Sequence, residues 1–180
     1  MQVVDLRLAG TRLIKPIVHR DERGIFVETY RFERYREIGI DTEFVQDNRS
    51  VSHRGVVRGL HYQTGLQQAK LVTAIRGKVF EVVVDISPES PQFGQWLGVQ
   101  LDGDYCEQLY VPAGKAHGFC VLSDEAELLY KVSTPYDPLA ERTLSWDDPE
   151  VGIVWPVKRP LLSERDRRGE PLAALRQRER

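Results

Sequence analysis

Four histidines carry most of the chemistry open to this sequence, and they are not equivalent. His19 and His53 stand among charged and turn-forming neighbours and read as ordinary surface or edge residues. His61 lies in the run GVVRGLHYQ, a strand-like segment interrupted by Gly59. His117 follows Pro112-Ala113-Gly114, a turn that delivers a side chain onto the start of a strand. An imidazole titrates near neutrality, so either ring is suited to taking or giving a proton. Metal ligation is the competing use, and a catalytic zinc or iron needs about three good protein ligands. Here Gln63 stands two residues after His61, and Gln67 and Gln68 occupy positions where a carboxylate would serve. Two imidazoles among amides make a poor ligand set, so no metal is expected.

Three more residues extend the constellation. Lys70 is an isolated cation flanked by Ala69 and Leu71. It is either an edge lysine whose stem lies along apolar surface or a cation lining a cavity, able to hold a phosphate or an enolate oxygen. Leu128, Tyr130 and Val132 share the more apolar face of their strand, so Tyr130 rather than Lys131 points inward. It is then a core aromatic or a hydroxyl that donates a proton. Arg58 and His61 are an odd number of residues apart, which sends them to opposite faces of a regular strand. A bulge at Gly59 would bring both to one face; otherwise Gly59 only relieves packing.

Positioning these groups requires a frame, and the hydrophobic pattern supplies one with period two. Strands are predicted near 13–18, 25–30, 43–52, 56–63, 69–76, 78–86, 95–101, 106–111, 117–123 and 126–134. In 78–86, Phe80, Val82, Val84 and Ile86 share one face. Only 31–38 reads as a helix, with Phe32, Tyr35 and Ile38 three apart and Gly39 closing it. Many short strands with turn signals between them, and no strand–helix alternation, predict an all-β, two-sheet antiparallel jelly roll. The 180 residues are expected to form one domain, with a minor helix or tail over about 171–180 ending in the charged RQRER.

Composition narrows the function classes. With 25 Lys+Arg against 27 Asp+Glu the net charge is −2, without the basic excess that nucleic-acid binding usually shows. The longest apolar run, Phe119 to Leu122, is far short of the roughly 20 residues of a membrane span. The start MQVVDLRLAGTRL lacks a basic stretch followed by a long apolar core, so no secretory signal is expected. Cys106 and Cys120 sit in apolar stretches without paired spacing and read as free buried thiols of a cytoplasmic protein.

The segments around His61 and His117 are similar to the two halves of a cupin-type jelly roll. More specifically, GVVRGLHYQ, QAKLV, SPQFGQW, YVPAGKAHGFCVL, the Tyr130-Lys131 pair, WDDPEVGIVWP and LSERD resemble, in order, the dTDP-4-dehydrorhamnose 3,5-epimerase family. The resemblance runs from about residue 13 to 170. It implies a cofactor-free homodimer acting on a nucleoside-diphosphate 4-keto-6-deoxyhexose, the expected partner molecule being a dTDP-sugar. A ketone at C4 acidifies the hydrogens on C3 and C5, so a base can remove one and an acid can return it on the other face. By resemblance, His61 is that base, Asp166 the carboxylate holding it, Lys70 the enolate stabiliser and Tyr130 the acid.

Substrate contacts carry over in the same way. Arg23, Phe26 and Glu28 match residues that the family supplies from the partner subunit by exchange of N-terminal strands. Gln46, Asp47 and Asn48 match its Q-D-N segment, Arg58 a diphosphate contact, and Tyr136 the aromatic that stacks on the thymine. His117, Glu141 and Arg165 match further substrate contacts. Three departures stand out: the short Thr64-Gly65-Leu66-Gln67 turn, Lys115 before Ala-His-Gly-Phe, and Ser87 where an Arg often ends the VDI segment. The first two are expected to flank the cavity. The alternative activity within the resemblance is epimerisation at C3 or C5 alone. A metal-dependent cupin oxygenase and a non-catalytic sugar-binding jelly roll are the readings from other classes.

Overall fold

Short runs of alternating residues cannot bury one face alone, and here they are stacked as two sheets. The computed structural model describes residues 1–177. One sheet holds β1 (Gln2–Asp5), β2 (Arg12–Lys15), β5 (Gln46–His53), β7 (Lys70–Arg76), β10 (Gln108–Val111) and β12 (Glu125–Val132), in the order β1-β2-β10-β7-β12-β5. The second holds β6 (Val57–Gln63), β8 (Lys78–Asp85), β9 (Trp96–Asp102), β11 (Lys115–Val121) and β13 (Glu141–Thr143), in the order β13-β6-β11-β8-β9. β3 (Val18–Asp21) and β4 (Gly24–Val27) form a hairpin outside both sheets. All the strand pairs are antiparallel, as the jelly-roll expectation requires.

The predicted helix is α1 (Phe32–Glu37), which buries Tyr35 against Ile14, Ile40 and Leu71 on the outer face of the larger sheet. Several short elements went unforeseen, β3 among them, since the strand predicted over 13–18 reaches only its first residue. β1 and β13 are edge strands of four and three residues whose existence depends on a tertiary partner rather than on a local pattern. α2 (Glu164–Arg167) is a single turn. Of the helix or tail expected at the C-terminus, the helix forms as α3 (Leu172–Gln177), because Leu172 and Leu175 pack onto the outer face of the smaller sheet. The last residues of RQRER, 178–180, lie outside the described residues.

The same packing explains how polar groups come to lie between the sheets. On β8 the apolar face Phe80, Val82 and Val84 turns outward, where Leu172, Leu175 and Trp155 cover it. Glu81 and Asp85, both fully buried, therefore share the inner face with Val79 and Val83. The inner core of Val72, Val79, Val83, Leu109, Phe119 and Leu128 fills one part of the sandwich. Polar side chains from β5, β6, β7, β11 and β12, among them Asn48, Arg58, His61, Lys70, His117 and Tyr130, line the remainder as an open cavity.

Gly59 sets the register of that cavity. His61 pairs with His117 while Arg58 pairs with Phe119, so β6 spends three steps where β11 spends two. The extra residue is the bulge that brings Arg58 and His61 to one cavity. Gly59 has φ +121°, and a Cβ there would lie 2.6 Å from Gly118 Cα and 2.8 Å from His117 O. Both are backbone atoms that cannot rotate away. Gly59→Ala is expected to cost roughly 2–5 kcal/mol of stability. Denaturant unfolding is the check, and an unchanged midpoint would refute this account of the bulge.

Candidate active site

A cavity of about 800 Å³ opens between the sheets. His61 enters it from β6, and its Nε2 lies 2.6 Å from Asp166 Oδ1. Asp166 is buried and is brought by α2, a hundred residues further along the chain. Burial pulls the Asp166 carboxyl upward, but the hydrogen bond and charge of His61, the Ser163 hydroxyl and Arg165 outweigh it and hold the group below its usual range. An ionised carboxylate only accepts hydrogen bonds, so Nε2 of His61 carries the proton that it donates to Asp166. Nδ1 is thereby left as the basic nitrogen. A proton taken there makes an imidazolium whose other nitrogen is held by the carboxylate.

Lys70 enters from β7, and its ammonium donates to the His61 carbonyl oxygen at 3.3 Å. Burial is the dominant influence on it and, against the attraction of Glu141 and Glu81, pushes the ammonium down to about 8. It is the inward alternative, not the edge lysine. A charge in so dry a place is well suited to a developing oxyanion. Since the group is charged below about pH 8 and neutral above, turnover that depends on this charge should decline as pH rises through about 8. Lys70→Arg should move that limb out of the measurable range, because guanidinium stays protonated. A flat kcat profile to pH 9.5 in the unmodified enzyme would contradict the assignment.

Tyr130 reaches the cavity from β12, packed against the inner core. Burial, reinforced by Glu141 and opposed by Arg58, raises its phenol above the ordinary value, so it keeps its proton at neutral pH. His117 faces His61 across the β6–β11 pair, with its Nε2 2.6 Å from Glu81 Oε2. Burial lowers its titration despite that carboxylate. The other Glu81 oxygen is buried without a hydrogen-bond partner. Sequence reasoning missed Glu81; its signal was one acid inside the run Val79-Phe80-Glu81-Val82-Val83-Val84. Among the described residues, no group of three His, Cys, Asp or Glu side chains is arranged to hold a metal.

The polar rim is built from four segments. Gln46 and Asn48 alternate inward on β5, bonded to each other at 2.8 Å, and Gln46 Oε1 accepts from the Tyr136 amide at 3.0 Å. Arg58 is steadied by Nε donating to Ser52 Oγ at 3.0 Å. Arg165 pairs with Glu141 at 2.6 Å. Gln46, Asn48, Arg58, Tyr136, Glu141 and Arg165 all line the cavity.

Four expected contacts are not brought there by this chain. Asp47 alternates to the opposite face of β5, where it takes both of its contacts from Lys131, at 2.9 and 3.1 Å. Arg23 sits at the turn of the β3–β4 hairpin against Asp21 (2.6 Å), Phe26 is 72% exposed on the same hairpin, and Glu28 pairs with Arg34 at 2.8 Å. The two departures expected to flank the cavity also lie outside its lining. Residues 64, 65 and 67 border a smaller neighbouring pocket, together with Lys115. Lys115 is buried with Asp85 (2.5 Å), and Ser87 and Ser90 complete the shell of that carboxylate.

Fold and cavity together define a two-sheet antiparallel jelly roll whose interior holds a carboxylate-backed imidazole, a buried lysine and a tyrosine, groups able to move protons on a bound molecule. The family model described as dTDP-4-dehydrorhamnose 3,5-epimerase matches residues 5–174. A dTDP-4-dehydrorhamnose 3,5-epimerase of Neisseria gonorrhoeae is 47% identical over 174 residues, 96% of this chain and 53% of that relative, so the chain spans about half its length. A dTDP-4-dehydrorhamnose 3-epimerase of Streptomyces niveus is 44% identical over 178 residues, covering 98% of this chain and 86% of that one. The crystal structure of a dTDP-6-deoxy-D-glucose-3,5-epimerase from Legionella pneumophila, in complex with dTDP-4-keto-L-rhamnose, superposes with a TM-score of 0.93. Its sequence is 42% identical, and the match covers 97% of this chain and 96% of that chain. The chain belongs to the dTDP-4-dehydrorhamnose 3,5-epimerase family.

Proposed function

We propose that this protein inverts C3 and C5 of dTDP-4-dehydro-6-deoxy-D-glucose to give dTDP-4-dehydro-L-rhamnose. The observation that carries the reading is the convergence of the His61–Asp166 pair with Lys70 and Tyr130 on one cavity. His61 Nδ1 takes the proton from the carbon beside the ketone, and the C–H electron pair moves into the enolate. Lys70 neutralises the oxyanion at C4. Tyr130 returns a proton to the opposite face and leaves as phenolate, after which base and acid exchange with solvent for the second centre. Each positioned acid or base contributes about 10²–10⁴-fold. No helix among the described residues is long and apolar enough to cross a membrane, and the buried free thiols of Cys106 and Cys120 fit a cytoplasmic enzyme.

A second reading, inversion of one centre only, is favoured by the nearly equal identity to the Streptomyces niveus 3-epimerase. Proton NMR of the product decides between them through the couplings at H3 and H5. Inversion at both carbons supports the first reading, inversion at one supports the second, and unchanged substrate would end both.

The exposed β3–β4 hairpin supports a homodimer in which Arg23, Phe26 and Glu28 serve the partner's cavity, since it pairs with neither sheet of its own chain. Mixing Arg23→Ala and His61→Asn chains tests this. Subunit exchange should restore up to about a quarter of the activity, because a mixed dimer then holds one intact site. Activity that stays at the level of the separate variants would contradict the shared site.

A further inference from the structure

Asp166 reaches the cavity on a helix of four residues, and a single turn has little stability of its own. Its placement is imposed by its surroundings. Before the turn, Leu161 bridges Val56, with Leu161 N donating to Gly55 O at 2.9 Å and Val57 N to Leu161 O at 3.0 Å. After it, Ser145 N donates to Glu170 O and Glu170 N to Thr143 O, both at 2.8 Å. Residues 162–169 therefore arch over the cavity between two backbone anchors. The rotation of the arch is then settled by side chains. Arg165 is held by Glu141. The Ser163 hydroxyl accepts from the Asp166 amide at 3.1 Å. Ser163 is one of the residues lining the cavity, and its side-chain hydrogen bond is also among the influences holding the Asp166 carboxyl below its usual range.

We propose that Ser163 is a positioning residue for the proton-abstracting pair: its hydroxyl fixes Asp166 against His61 and so sets how well the imidazolium is stabilised as the proton leaves carbon. The inference rests on the reading of His61 as base. An ordinary N-cap contributes to helix stability alone. Ser163 instead contributes to rate, and does so only through Asp166, because a displacement of about 1 Å breaks the short contact on which the base depends.

A double-mutant cycle isolates this coupling. Ser163→Ala, Ser163→Gly and Ser163→Thr are compared, with kcat and KM measured on dTDP-4-dehydro-6-deoxy-D-glucose. The Ala change is repeated in an Asp166→Asn background. The Ala and Gly variants should lose about tenfold in kcat with KM within about twofold, while Thr retains most of the rate. In the Asp166→Asn background the Ala change should cost less than about twofold. Equal losses in both backgrounds, a loss confined to KM, or an unchanged kcat would overturn the proposal. If the Ala variant fails to fold, the Gly variant carries the same comparison, since Gly is nearly as good a helix cap without the hydroxyl. An Asp166→Asn enzyme with full kcat would overturn the paired-base reading and this inference with it. That result is separable from a Ser163 failure because it is seen with residue 163 intact.

Discussion

His61→Asn should reduce kcat by about 10³-fold or more while substrate affinity stays within a few-fold. Asparagine keeps a polar group of similar reach but offers no nitrogen that can accept a proton, so the substitution removes the base rather than the site. The remaining rim is built from Gln46, Asn48, Arg58, Tyr136 and Arg165, none of which depends on the His61 ring for its recorded hydrogen bonds. Calorimetric titration with dTDP measures the binding, and a coupled assay measures the rate. A variant with a rate within tenfold of the parent would remove His61 from the role given to it. Asp166 loses its only imidazole partner in that variant, yet Ser163 and Arg165 remain beside it, so the buried carboxylate is not stranded.

Tyr130→Phe is expected to lower product formation by about 10²-fold while leaving part of the hydrogen exchange intact. Abstraction and reprotonation are separate steps, and the phenol acts in the second. Its raised titration supports that direction of transfer, since the group enters the reaction protonated. The enolate formed at His61 still returns by recapturing a proton on the face from which it left. Product formation at the parental rate would contradict the assignment. Loss of exchange as complete as in His61→Asn would do so equally, because it would place Tyr130 in the abstraction step.

Much of the frame was legible because strand periodicity is a local property. The segment 78–86 alternates as expected and forms β8, and the Phe32, Tyr35 and Ile38 spacing marks α1. Which face of β8 is interior was not legible. The more apolar face turns outward because residues almost a hundred positions away, Leu172 and Leu175, cover it, and that leaves Glu81 and Asp85 between the sheets. Gly59 shows the opposite case. The parity conflict between Arg58 and His61 posed the question of a bulge from residue counting alone, and the register of β6 against β11 answers it. Asp166 could be placed from sequence only through the family resemblance, since no local pattern links a one-turn helix to a strand a hundred residues earlier. Asp47 misled for a simple reason: within Gln46-Asp47-Asn48, strand alternation sends the middle residue to the other face.

The central claim is most directly tested by incubating dTDP-4-dehydro-6-deoxy-D-glucose in deuterated water with the parent enzyme and the His61→Asn variant in parallel, and reading solvent deuterium at C3 and C5 by NMR. The parent should label both carbons, and the variant should label neither above an enzyme-free control. Deuterium entering at the parental rate with the variant would show that another group takes the proton.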